Sequence, residues 1–291
     1  MVYAKRQYRS SRLSEFILDP VRPSSTHFSC QTLTLGTLAF IIWAQALLAL
    51  AGAPVPETDA QAPVTFAVSD VWPWGYADAE GKPRGSLADV MERLSELTGV
   101  PVELRLRPAR RAINELDSGE INFSILFQSP IQDKEAINLG SVVKFNTVLA
   151  AMSNTEYPLN LDEMAGKRIA FIRGAYLGEA FVRNQEVERV PVKLISQALE
   201  MLSLGRISAI LSSDHSLART LQMMDLNPDR LRYKTYIRDQ SGVLYMSREA
   251  PRPRVAEKFR DAIGHLKENG ELDKIFFGDS GRPQETSPAA Q

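Results

Sequence analysis

From Val64 onward, apolar positions follow two periods in turn, that of strands and that of helices. Val64 to Ser69 reads as a first strand, with Asp70 at its C-terminal end. The stretch from Gly81 to Gly99 then sets the frame. Gly81 follows Asp78 and Glu80 in a turn composition. Ser86 stands three residues before Asp89, the spacing of an N-terminal capping box. Leu87, Val90, Met91, Leu94 and Leu97 form one apolar stripe at helical spacing. Gly99 stops that helix, and after Pro101 the alternation of Val102, Leu104 and Leu106 predicts a half-buried strand. A second helix begins at Pro108 and runs through Ala112, Ile113 and Leu116 to Gly119, and Ile121 to Leu126 is a third strand. The order β-α-β-α-β predicts a parallel sheet with crossover helices.

The arrangement then repeats. A helical turn over Leu161 to Gly166 leads to a strand at Lys167 to Ile172, broken by Arg173-Gly174. A helix from Leu177 to Arg183, a strand at Val192 to Ile195 and a helix capped by Ser196 and ended by Gly205 follow. Ile207 to Leu211 is a buried strand, and a helix covers about 214–224. The junctions Leu116-x-x-Gly119-x-Ile121 and Leu202-x-x-Gly205-x-Ile207 echo each other, which supports two similar lobes. Strand character returns at Gly242 to Met246. A helix over Arg254 to Lys267 buries Val255, Phe259, Ile263 and Leu266, and a last helical turn spans Glu271 to Phe277.

Ahead of this pattern lies a different composition. Residues 1–32 carry Lys5, Arg6, Arg9, Arg12 and Arg22 against Glu15 and Asp19, and Leu33 to Ala51 is apolar and uncharged. A basic stretch, an apolar run and the small residues of Ala49-Leu50-Ala51 predict a secretory signal over 1–51, with an uncleaved anchor as the alternative. Residues 52–63 read as an Ala/Pro-rich linker and 280–291 as a disordered tail, so the expected compartment is the periplasm. Removing residues 1–51 takes away five of the 34 Lys and Arg and two of the 35 Asp and Glu, leaving a net charge of −4. That balance gives no electrostatic footprint for nucleic acid. Cys30 precedes the apolar run, and no cysteine follows it to carry a lipid anchor.

Trp72, Trp74 and Tyr76 crowd the turn after the first strand, and Pro73 favours an exposed turn there. An aromatic loop ahead of a βα unit reads as a binding rim. Ligands on parallel sheets sit beyond the carboxyl ends of the strands, where Asp70, the 107–111 loop and Gln128 fall. Arg110 and Arg111 at a helix start oppose its dipole, so an anionic ligand group or a nearby carboxylate must compensate. The bland alternative is a solvated basic edge with Arg105 and Arg107. Gly174 can offer backbone N–H groups ahead of a helix, and Tyr176 follows it. His27, His215 and His265 lack metal-ligand spacing, and no phosphate loop or nucleophile elbow occurs, so no metal or cofactor is expected.

Taken in order, these features resemble the extracellular solute-binding proteins of family 3, the periplasmic receptors of polar amino-acid ABC transporters and their relatives. The carriers are Trp72-Pro73-Trp74, Gly81 to Asp89, Leu116 to Phe123 (LDSGEINF), Met164 to Gly174 (MAGKRIAFIRG), Leu202 to Ser208, and Gly242 to Phe277 with its GHLKENGELDKIFF ending. The resemblance implies an α/β periplasmic-binding-protein fold of the second type. Two lobes, each a mostly parallel sheet flanked by helices, would be joined by two hinge strands. Lobe 1 would hold 64–141 and 243–279, lobe 2 would hold 147–238, and the hinges would cross at 142–146 and 239–242. The implied role is capture of a small polar or anionic, amino-acid-like metabolite by lobe closure, as a monomer serving an ABC permease of the inner membrane.

The departures are specific. Where such receptors place an arginine to fork the ligand carboxylate, alignment gives Asp133, or Lys134 with a one-residue gap. Their lobe 2 aspartate aligns with Ser213, one position before Asp214, and Ala175 replaces a small polar residue. These differences argue against an ordinary α-amino-acid ligand. A subset of the family has a Pro-Trp-x-Arg-Ala motif, and Pro108-Ala109-Arg110-Arg111-Ala112 keeps its arginine as Arg111. Two alternatives stay open. One is a cyclohexadienyl dehydratase-like enzyme using Glu179 or Asp214 as general acid; the other is a sensory or accessory protein presenting ligand to a membrane receptor.

Overall fold

The computed structural model describes residues 62–278. The expected signal or anchor, most of the linker, the tail, Cys30 and His27 lie outside the described residues.

In the first lobe, β1 (Val64–Ser69) pairs in parallel with β4 (Val102–Arg107) on one side and β5 (Phe123–Phe127) on the other. A two-stranded hairpin, β2 (Tyr76–Ala77) and β3 (Pro83–Arg84), precedes α1 (Ser86–Thr98). Helix α2 (Ala109–Asp117) crosses from β4 to β5. After the short α3 (Pro130–Glu135), the chain enters β6 (Ala136–Met152), a strand of 17 residues. The second lobe repeats the crossover pattern. Strand β7 (Arg168–Ile172) pairs in parallel with β8 (Glu188–Val192) and β9 (Ala209–Ser213), with α4 (Glu179–Arg183), α5 (Ile195–Ser203) and α6 (Asp214–Met223) between and after them. The chain returns through β10 (Leu231–Ser247), also 17 residues, to α7 (Pro253–Glu268) and α8 (Glu271–Phe277).

All the long strands form one sheet, ordered β4-β1-β5-β10-β6-β9-β7-β8. Strands β6 and β10 pair antiparallel from Leu231 opposite Met152 to Ser247 opposite Ala136. They serve both lobes: Gly242–Met246 also pairs with β5, and Thr147–Ala150 also pairs with β9. The register shifts once between those two zones, from Ile237 to Gln240, once opposite the β9 zone, from Thr235 to Ile237, and twice within the β5 zone, between Gly242 and Tyr245.

Each lobe has its own apolar core. Phe66, Met91, Leu94, Phe123 and Phe259 anchor the first, and Ile172, Leu199, Leu202, Ile210 and Leu217 the second. Helix α1 buries Leu87, Val90, Met91 and Leu94 of the expected stripe, while Leu97 is 40% exposed at its C-terminal turn. Gly99 ends this helix in the left-handed conformation, as its sequence position predicts.

The capping box at Ser86 does not form. Gly85 is the N-cap, at φ 103, and Ser86 is already the first helical residue, its buried hydroxyl without a partner. The cause is tertiary: a Cβ on Gly85 would stand 2.7 Å from the carbonyl oxygens of Pro73 and Trp74. Only glycine fits where the helix start meets the aromatic loop. Likewise Ser196 lies inside the first turn of α5, whose N-cap is Leu194. The strand expected at 192–195 ends at Val192 instead, and Pro191 is tolerated because β8 is an edge strand paired only with β7. Helix α3, capped by Ser129 with Pro130 at its first position, is an element the period analysis did not anticipate.

Replacing Leu94 with alanine should cost about 2–5 kcal/mol, the range for truncating a fully buried leucine. Leu97→Ala should stay within about 0.5 kcal/mol. Urea unfolding, read as midpoints at constant slope, separates the two.

Candidate functional site

The parallel strands of both lobes end on a common cleft. Ser69 and Phe127 end β1 and β5 on one side, Ile172 and Ser213 end β7 and β9 on the other, and Val143 and Gly242 of the two long strands contribute to the lining. The cleft encloses about 850 Å³ counted out to its open mouth.

Of the residues expected to carry the site, Trp74, Gly174 and Tyr176 line this cleft. Trp74 is 3% exposed and sits among Phe127, Phe145, His215 and Phe276, with ring centroids 5.0–6.0 Å away. Its indole Nε1–H donates to Ser216 Oγ at 2.7 Å, a buried bond from lobe 1 to lobe 2. Ser216 also accepts from Ser213 Oγ at 2.8 Å, and its own N–H donates to Ser213 Oγ. Trp74 is therefore core and cleft wall at once. The loop that presents it is folded back on itself by the Val71–Gly75 bridge, next to a cis Trp72–Pro73 peptide.

Gly174 faces the first lobe directly. At φ 88 it holds a conformation that suits glycine, and a Cβ there would stand 2.9 Å from the Arg110 backbone nitrogen. Tyr176 is tied to the long strands, its carbonyl accepting from Gln240 Nε2 at 3.0 Å. Burial pushes its phenol up, and Glu179 adds to that.

The other expected residues are placed elsewhere. Trp72 packs against Tyr76 with the rings tilted, centroids 4.9 Å apart, outside the cleft lining, and its buried indole N–H has no partner. Asp70 is exposed at the strand end, and its N–H donates to Arg107 O at 2.7 Å. Gln128 is exposed and donates to Asp133 at 2.9 Å. Arg110 is exposed beside Gly174. Arg111 is engaged by Glu115, one turn on, at 2.5 Å. Arg107 holds the same carboxylate at 2.7 Å. Burial pushes Glu115 up, but the two guanidinium groups together hold it below the usual carboxylate range. The charge that compensates Arg111 at the helix start is thus a protein carboxylate. Asp214 accepts from Asn146 N–H of β6 at 3.2 Å and from His215 N–H at 2.7 Å.

Sequence reasoning nominated none of the serine and glutamine side chains of the lining, Ser69, Ser129, Gln132, Ser212, Ser213 and Ser216, although Ser213 was singled out as the position of the family's aspartate. Their signals were generic, since serine at a strand end or before a helix reads as a cap or turn. Ser129 and Ser213 do cap helices α3 and α6. His215, 4% exposed, lies between Trp74 and Phe277 at centroid distances of 5.0 and 5.2 Å. Burial, helped by Arg219, lowers its pKa to about 4. Among the described residues no group of His, Cys, Asp and Glu is arranged to hold a metal ion, and no helix is long and apolar enough to cross a membrane.

The family model of bacterial extracellular solute-binding proteins, family 3, matches residues 64–277. Solved structures of the same fold include an ancestral arginine-binding protein bound to arginine, at 17% identity and TM-score 0.64 over 75% of this chain and 100% of that one. An ABC uptake transporter substrate-binding protein from Streptococcus pneumoniae with bound histidine matches at 18% identity and TM-score 0.62, over 76% and 95% of the two chains. A histidine kinase sensor domain with similarity to periplasmic binding proteins matches at 17% identity and TM-score 0.65, over 76% and 98%. At these identities the likeness shows the two-lobe α/β fold. No curated protein matches the sequence.

Unfolded, His215 titrates near its ordinary 6.5, and folded it titrates at about 4, so the unfolded chain binds the extra proton between those values. The stability that a neutral His215 contributes is complete above about pH 6.5 and is lost as pH falls toward 4, on the order of 3 kcal/mol in all. His215→Phe keeps an aromatic ring against Trp74 and Phe277 and should flatten this part of the stability–pH curve, measured by urea unfolding from pH 4 to 7.

Proposed function

The chain belongs to the bacterial extracellular solute-binding proteins, family 3, and on that premise we propose that it captures a small, amino-acid-sized solute by closure of its two lobes and passes it to an ABC permease. The observation that carries this reading is the contact across the cleft. Gly174 of lobe 2 stands against the Arg110 backbone of lobe 1, and Trp74 bonds Ser216. The lobes are those of 64–141 with 243–279 and of 147–238, and the hinges are 142–146 and 239–242. The register shifts between Thr235 and Tyr245, and the left-handed Asp239 at φ 49, support hinges there, because interrupted pairing bends more readily than a regular ladder. Ligand binding shifts the open–closed population by its differential affinity for the closed form.

The protein acts in the periplasm as a monomer, exported by its N-terminal signal. The reading as a receptor rather than a dehydratase draws support from the family, and the two carboxylates considered as general acids are engaged elsewhere: Glu179 pairs with Arg183 at 2.6 Å, and Asp214 accepts from Asn146 N–H of β6. A second reading, ligand presentation to a membrane sensor, draws support from the kinase sensor domain of the same fold.

Thermal shift against a panel of amino acids and other small metabolites, with small-angle scattering on each compound that binds, tests the proposal. A binder should raise the apparent melting temperature by an amount that grows with the logarithm of its concentration above Kd and reduce the radius of gyration. Gly174→Ala should weaken that binder about tenfold or more, since alanine is strained at positive φ and its methyl group obstructs closure. Binding without compaction, or full affinity in Gly174→Ala, would sink lobe closure as the mechanism.

A further inference from the structure

We infer that the solute held in this cleft is electrically neutral, with an apolar or aromatic body and hydroxyl- or amide-type polar groups. This rests on the receptor reading above and narrows it to a ligand class.

Among the described residues that line the cleft there is no Asp, Glu, Lys, Arg or His side chain. Most of the charges nearby are committed to the scaffold. Arg107 and Arg111 share Glu115. Asp133 accepts from Tyr245, Asn138 and Gln128. Asp214 accepts from the backbone of β6 and of its own helix. Asp70 and Arg110 are exposed and outside the lining. The α-carboxylate and ammonium of an amino acid would both lose water here without an opposite charge to meet. Burying an unpaired ion costs more than hydrogen bonds to neutral hydroxyl groups return. The first turn of α2 reaches the lining at Ala109, and its dipole favours an anion, but that end effect is the weaker one.

What the lining does offer is neutral. Of its six serine and glutamine side chains, four are occupied. Ser129 accepts from Gln132 N–H, Gln132 donates to Asp117 at 3.1 Å, and Ser213 and Ser216 bond each other and Trp74. Ser69 and Ser212 remain, one from each lobe, with no side-chain hydrogen bond among the described residues. A hydroxyl both donates and accepts, so this pair suits alcohol, amide or lactam groups. Around them stand Val71, Ile113, Phe127, Ile172 and Tyr176, an apolar and aromatic wall for the body of the ligand.

Matched probes that share a body and differ in charge test the inference on the full chain. N-acetyl-L-phenylalaninamide is set against L-phenylalanine, and uridine against uridine 5′-monophosphate, with L-arginine and L-histidine added as charged controls. By calorimetry the neutral member of at least one pair should bind ten times or more tighter than its charged partner. Ser69→Ala and Ser212→Ala should each weaken it severalfold while the melting temperature of the unliganded protein stays put. A charged member binding as well as or better than its neutral partner, or a charged control binding where no neutral probe does, would overturn neutrality and leave the receptor reading standing. No stabilisation by any probe would count against both.

Discussion

The antiparallel pairing of β6 with β10 is the constraint on which the rest of the molecule depends. At about 3.3 Å per residue, 17 residues span about 55 Å, far more than a typical strand. One end of the pair is claimed by β5 and the other by β9, so each lobe's sheet is an extension of the same ladder. The parallel strands of both lobes therefore point their carboxyl ends at one place, and the cleft lies there. The middle of the ladder, where the register slips, is also where the site is tethered. Asp214 takes the Asn146 N–H, Gln240 takes the Thr147 hydroxyl and donates to the Tyr176 carbonyl, and Asp239 N–H donates to Asn146. The strand crossing and the wall of the cleft are thereby fastened to each other.

Trp74 is the second node. Its ring fills space between Phe127, Phe145 and Phe276 of lobe 1, and its one polar atom is satisfied by a serine of lobe 2. An indole can do this because it is a large apolar surface with a single donor at its edge. The same requirement explains Gly85, since the loop that carries Trp74 leaves no room for a side chain where α1 begins. A local rule, the capping box, yields here to a tertiary one.

That yielding marks the limit of what the chain discloses on its own. Elements with a strong period, such as α1, α7 and the first strand, were legible to within a residue or two, because burial of one face dictates the pattern. Weakly patterned elements were not. Strand β8 buries little and carries a proline, and α3 is a single capped turn and a half. The site was legible in part for the same reason. Trp74, Gly174 and Tyr176 announce themselves by residue type, whereas Ser69 and Ser212 resemble many serines at strand ends. Arg111 had the right residue type, but its partner Glu115 has a spacing that serves helix stability equally well.

The distribution of charge joins these points. By the sequence resemblance, the carboxylate-binding arginine of such receptors falls at Asp133, or at Lys134 with a one-residue gap, and their aspartate falls at Ser213. Neither Asp133 nor Ser213 is idle. Asp133 is held below its ordinary range despite burial by the Tyr245 hydroxyl, Gln128 and Asn138, which fastens α3 to both long strands. Ser213 caps α6 and supports the hydroxyl that Trp74 bonds. Restoring a ligand-binding arginine at 133 would leave the Tyr245 hydroxyl beside a cation, and restoring an aspartate at 213 would set a carboxylate beside Ser216 and Asp214. Both side chains are engaged by the scaffold, so a change of charge at either would disturb bonds that the fold uses. The uncharged side chains that line the cleft thus stand beside charged ones already engaged in the packing of both lobes.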